Sequence, residues 1–145
     1  MITNERQYRI TKSEAQKFEQ AIAAARNREL GPEVDLRIHQ AMIESLESEL
    51  ALLREQLKRY EALKAGKVKS RKARSLRELP IVFIEGRIAA GLTQGGLAKR
   101  LGMPEQQIQR YESTLYAGVS LQRLQEVADT LGLEIEEHAR YAVPA

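Results

Sequence analysis

The chain has 145 residues, enough for one ordinary domain or for a small domain joined to a separate assembly element. It has no cysteine, which excludes disulfides and thiolate metal sites and points to a reducing compartment. Its longest apolar run, Ile81-Val82-Phe83-Ile84, is far too short to span a bilayer, and Met1-Ile2-Thr3-Asn4-Glu5-Arg6 has no signal-peptide pattern, so a cytoplasmic protein without a membrane partner is expected.

Low aromatic content (5%) and high charged content (30%), with Leu, Ala, Glu, Gln, Arg and Lys dominant, favour helix over sheet. The net charge of +3 hides an uneven distribution. Residues 1–63 carry −1, residues 64–77 carry +7 with no acid, and residues 78–145 carry −3. All of the excess positive charge therefore lies in one central segment.

In chain order, Thr11-Lys12-Ser13-Glu14 fits a capping box, and Ala15, Phe18, Ile22 and Ala25 follow at helical spacing, predicting a helix over about 11–28 that stops at Leu30-Gly31-Pro32. Before it, Gln7-Tyr8-Arg9-Ile10 alternates like a short extended arm. Nothing breaks a helix over 33–64. There Leu36, Ile43, Leu46, Leu50, Leu53, Leu57 and Tyr60 step by threes and fours, with His39 the one poor position, so a coiled-coil seam is expected. Ile43, Leu46, Leu50, Leu53, Leu57 and Tyr60 are the expected homodimer interface, and a second stripe, Ile38, Met42 and Leu52, is then left for an internal hairpin with the preceding helix. The alternative is that the heptad stripe itself packs on that helix. Strand direction is open: Glu49 meets Arg54 of a parallel partner, antiparallel registers can pair Glu47 with Arg54, and an antiparallel pair would set the two C-terminal halves at opposite ends of a helix that spans roughly 45 Å.

Residues 65–77 read as a basic linker. Lys67, Lys69, Arg71, Lys72 and Arg74 are candidate phosphate contacts; a solvated connection is the competing interpretation. Residues 1–64, 65–77 and 78–145 thus form three segments.

Pro80 suits a helix start, and Ile81, Ile84 and Ile88 give an apolar face ending at Gly91. Thr93 is placed to cap a helix over 94–101, and Gly102 can take the φ > 0 conformation of a helix end. A further helix begins at Pro104 and runs to about 112; Ser120 caps another over 121–131. Two short helices joined by a glycine turn form a helix-turn-helix unit, with Leu97, Ala98, Leu101, Ile108 and Tyr111 suited to its inner faces.

The string Gly91-Leu92-Thr93-Gln94-Gly95-Gly96-Leu97-Ala98-Lys99-Arg100-Leu101-Gly102-Met103, then Ile108 and Glu112, and the later Ser120-Leu121, Leu124, Val127-Ala128 and Leu131-Gly132, resembles the phage-repressor and Cro, or Xre-type, helix-turn-helix family over about 78–133. The resemblance implies a lambda-repressor-like domain over about 78–133 and says nothing of residues 1–64; with the helical hairpin or coiled coil read there from periodicity, an all-α chain is expected. The resemblance further implies a sequence-specific transcription regulator, a repressor, binding double-stranded DNA at an operator as a homodimer. It also permits an antitoxin that holds a toxin protein partner and autoregulates its promoter.

By position, the resemblance gives Gln94 a backbone phosphate and a bracing role, and places Pro104, Glu105, Gln106 and Arg110 towards bases with Gln109 on their flank. Thr93, Lys99 and Ser113 complete the expected DNA-binding set. Arg87 and Glu112 match a buried structural pair. Three features depart from the family pattern: Gly95-Gly96 within a helix, at roughly 1 kcal/mol each; Glu105 where a neutral reader is usual; and the net acidity of 78–145. After Gly132, the alternation of Leu133, Ile135, Ala139, Tyr141 and Val143 suggests either a short edge strand, pairing with the N-terminal arm or a second chain, or a frayed tail.

An enzyme is not expected. His39 and His138 are the only histidines and fall in different elements, no metal set is spaced for binding, and no cofactor is implied. Gly86-Arg87-Ile88-Ala89-Ala90-Gly91-Leu92-Thr93 imitates a phosphate loop but carries Leu92 where lysine is required.

Overall fold

The computed structural model describes residues 1–144 and is all-helical: α1 (Glu5–Asn27), α2 (Leu36–Lys64), α3 (Leu79–Ala89), α4 (Gln94–Leu101), α5 (Glu105–Ser113) and α6 (Leu121–Leu131). The chain divides into two compact units, Met1–Lys72 with Ile88–Thr93, and Ala73–Arg87 with Gln94–Ala145.

Within the first unit α1 and α2 form an antiparallel hairpin. α1 starts six residues before the expected position, so the anticipated arm Gln7-Tyr8-Arg9-Ile10 is helical and Thr11 lies mid-helix. The reason is a better cap upstream. The Asn4 side chain accepts from Gln7 N at 2.9 Å, while Thr3 N and Oγ1 donate to Gln7 Oε1 at 2.8 and 2.9 Å. α2 begins at Leu36 rather than at 33, because the Asp35 carboxylate accepts from Arg37 N at 2.8 Å.

Ala15, Ile22, Ala25, Ile43 and Leu50 are the buried core of the hairpin, with Phe18, Leu46, Leu53 and Leu57 packed against them. The heptad stripe is therefore filled by α1 of the same chain. Tyr60, at its end, is buried and stacks on Tyr8 with ring centroids 5.3 Å apart. The internal hairpin is the arrangement α1 and α2 adopt, and it is the heptad stripe, not the second stripe, that packs on α1. Ile38 (70%), Met42 and Leu52 (54%) are exposed instead. His39, the poor heptad position, faces the carbonyl of Ala25 at 3.0 Å; a carbonyl only accepts, so its Nε2–H donates and satisfies an orphan acceptor near the end of α1. Arg54–Glu19 (2.8 Å), Lys64–Glu5 (2.7 Å) and Arg26–Glu47 fix the antiparallel register at the rims.

In the second unit Phe83 and Ile84 of α3, Leu97 of α4, Ile108 of α5 and Val127 of α6 are fully buried. Each contributes about 1.5–3 kcal/mol by leaving water. α4 and α6 have the bounds expected from their caps and stripes. Ser120 Oγ accepts from Arg123 N at 3.2 Å, and Gly132 closes α6 at φ 65°. Pro104 proves to be the N-cap of α5 rather than its first helical residue, and Leu79 precedes Pro80 in α3. Of the two C-terminal alternatives the strand does not form: residues 133–144 carry no regular structure. The arm expected as its pairing edge is the first two turns of α1.

Candidate nucleic-acid interface

α4 and α5 are joined by a turn that the sequence dictates locally. Gly102 takes φ 66°, a conformation costly for a side chain, and Met103 N reaches back to Ala98 O at 3.0 Å, ending α4. α4 packs against α5, and Leu97, Ala98 and Ile108 are buried.

Glu112 locks the unit from inside. Arg87 Nε donates to Glu112 Oε1 at 2.5 Å and Nη2 to Oε2 at 2.8 Å, with side-chain exposures of 3% and 1%. Gln94 Nε2 also donates to Oε2, at 2.8 Å. One carboxylate therefore ties the end of α3, the start of α4 and the last turn of α5, through a planar fork that only arginine supplies. The pair implied by the family resemblance is present and buried. Gln94 is turned inward and only 7% exposed, so the bracing part of its expected role is the part its geometry serves.

With Ile108 and Glu112 facing inward, helical spacing sets Gln106, Gln109, Arg110 and Ser113 on the opposite side of α5, and all four are exposed. The helix ends rigidly beneath them. Arg110 O accepts from Thr114 N (3.1 Å), Thr114 Oγ1 (2.8 Å) and Ser113 Oγ (3.0 Å). Ser113 thus uses its proton within the helix and offers lone pairs outward. Thr93, Lys99, Arg100 and Glu105 are exposed as well. Lys67, Lys69, Arg71, Lys72 and Arg74 lie in a segment without regular structure, and Arg74 N donates to Glu78 Oε2 at 2.9 Å where the chain turns towards α3.

Two features carry no clear signal in the sequence. The glycine at 95 lies directly beneath the Glu105 carboxylate: an added Cβ would stand 2.9 Å from Oε2. Nothing in residue spacing announces this. The loop after α5 holds two consecutive left-handed residues, Leu115 (φ 50°) and Tyr116 (φ 55°). Tyr116 is buried against Phe83 and Tyr111, with centroids 5.4 and 5.6 Å away, and its hydroxyl finds no partner. Burial, reinforced by the Glu112 carboxylate, pushes its phenol well above the ordinary range and keeps it protonated. The end of α5 is thus held by an aromatic cluster whose only sequence signal is a tyrosine pair five residues apart.

No helix among the described residues is long and apolar enough to cross a membrane. Residues 84–138 match the helix-turn-helix family model of the Xre, lambda-repressor-like type, which spans the buried Arg87–Glu112 pair and α4 to α6. No curated protein and no solved structure gives a match. Residues 84–138 are therefore a DNA-binding helix-turn-helix domain of the Xre, lambda-repressor-like family, the kind carried by transcription regulators.

Proposed function

We propose that the chain is a sequence-specific repressor that binds a two-fold operator as a homodimer, with α5 laid in the major groove. The observation that carries this reading is the exposed row Gln106, Gln109, Arg110 and Ser113 on a helix braced from behind by Glu112. Gln106 suits the N6/N7 edge of adenine, and Arg110 the O6/N7 edge of guanine. The basic segment Lys67, Lys69, Arg71, Lys72 and Arg74 adds phosphate neutralisation to that of Lys99, because residues 78–145 are net acidic. Selection of duplexes from a random pool tests it. A guanine should emerge whose identity Arg110→Ala no longer enforces, and an unchanged preference in that variant refutes the assignment.

Self-association is supported by the apolar stripe left exposed on α2. Ile38, Met42 and Leu52 flank the small residues Ala41, Ser45 and Ser48. A parallel in-register pair would oppose Glu49 to Glu49. An antiparallel pair crossing near Ser45 sets Ile38 of one copy against Leu52 of the other, with Arg37 near Glu55 at both rims, and the separation this leaves between the α2 ends is spanned by the two segments 65–77, each reaching up to about 43 Å when extended. The second reading is an antitoxin that covers the same stripe with a toxin and autoregulates its promoter. A small toxin gene or a metallopeptidase gene beside this one favours it.

A further inference from the structure

Two departures from the family pattern, glycine at 95 and glutamate at 105, meet in space. An ideal Cβ on Gly95 would lie 2.9 Å from Glu105 Oε2, 3.2 Å from Cδ and 3.6 Å from Oε1. The carboxylate thus rests where any other residue at 95 would carry its side chain. From its own helix, Gln109 Nε2 donates to Oε1 at 3.3 Å. The resting place has an electrostatic cause: Gly95 is in the first turn of α4 and Glu105 heads α5, so the carboxylate lies by the positive ends of two helix dipoles. Glu105 is nonetheless exposed and shares its helix with Gln106 and Arg110, so a duplex laid along α5 meets it.

From this juxtaposition we infer that Glu105 is a two-position specificity element and that Gly95 provides its resting position. The inference rests on the reading of DNA by α5. Opposite a cytosine the carboxylate swings out and accepts from the N4 amino group, replacing the interactions it gives up. Opposite guanine or thymine it finds no donor, and opposite adenine the N7 lone pair beside the N6 amino group repels it, so it stays against α4, an anion held among phosphates. Non-cognate duplexes therefore bear a repulsion that the cognate site offsets. Glu105 rejects wrong sequences more than it strengthens binding to the right one. Gly95 softens the rejection, because it leaves the carboxylate somewhere to retreat.

The test uses the full chain and measures equilibrium binding to the selected duplex, to single-base-pair variants of it and to a scrambled duplex. Glu105→Gln should raise affinity for the scrambled duplex three- to tenfold and flatten the preference at one C·G pair. Gly95→Ala closes the resting position, so it should raise the selected-to-scrambled ratio severalfold. In a Glu105→Ala background the same Gly95→Ala change should leave that ratio unmoved, and the effect of alanine on helix stability is common to both backgrounds and cancels. Glu105→Gln changes one exposed side chain and tests the idea even if Gly95→Ala disturbs folding. An unaltered ratio in Glu105→Gln, or an equal effect of Gly95→Ala in both backgrounds, overturns the inference. If Arg110→Ala still abolishes discrimination in that event, the reading by α5 survives alone; if Arg110→Ala also has no effect, the reading itself has failed.

Discussion

Arg87 and Glu112 meet as a two-point ion pair, Nε to Oε1 at 2.5 Å and Nη2 to Oε2 at 2.8 Å, with both side chains almost wholly out of water. The pair places the back of α5 relative to α3, and through Gln94 it sets the start of α4 as well. Its contribution is positional more than energetic, because burying two charges costs roughly what their attraction contributes. Removing one partner is different. Glu112→Ala leaves the Arg87 guanidinium buried and uncompensated and should cost about 3–5 kcal/mol by denaturant unfolding, whereas replacing both by apolar residues of similar volume should be nearly neutral in stability while degrading DNA recognition. A Glu112→Ala effect below about 1 kcal/mol would show that the pair is not the brace.

Tyr116 buries a hydroxyl with no partner, and such a group costs about 1–3 kcal/mol. Tyr116→Phe keeps the ring contacts to Phe83 and Tyr111 and should raise stability by about 1 kcal/mol, read as a higher denaturant midpoint at unchanged slope. A drop in stability would mean the hydroxyl is satisfied in solution.

The exposed and buried stripes of α2 make separable predictions. Leu50→Asp places a charge in the hairpin core and should cost at least the roughly 2–5 kcal/mol of a truncation there, with a fall in helical signal from α1 and α2. Ile38→Asp with Leu52→Asp should leave the hairpin folded and yield monomers by sedimentation. A persisting dimer in the double variant moves the interface elsewhere.

Replacing Lys67, Lys69, Arg71, Lys72 and Arg74 by glutamine should weaken binding to all duplexes alike. The salt dependence should flatten by about 0.9 in log–log slope for each phosphate that is no longer neutralised. An unaltered slope would make the segment a spacer.

The helix-turn-helix is legible in the sequence because each of its parts has a local signal: the Gly102 turn, the Ser120 cap, the apolar spacing through Leu97, Ile108 and Val127, and the Arg87 and Glu112 partners that the family resemblance implies. The start of α1 is harder to place because two capping patterns compete within ten residues; Asn4 with Gln7 prevails over Thr11 with Glu14. The heptad of α2 is ambiguous for a physical reason. Pairing within one chain and pairing between two demand the same three–four spacing, and only packing shows that α1 fills it. The approach of Gly95 to Glu105 depends on how α4 meets α5, which no spacing rule encodes.

The most direct measurement is titration of the isotopically labelled chain with its selected duplex while backbone amide signals are followed. The signals of Gln106, Gln109, Arg110 and Ser113 should move at stoichiometric duplex, and a scrambled duplex should move them less. If those four stay in place while signals from another surface respond, α5 is not the element that meets DNA.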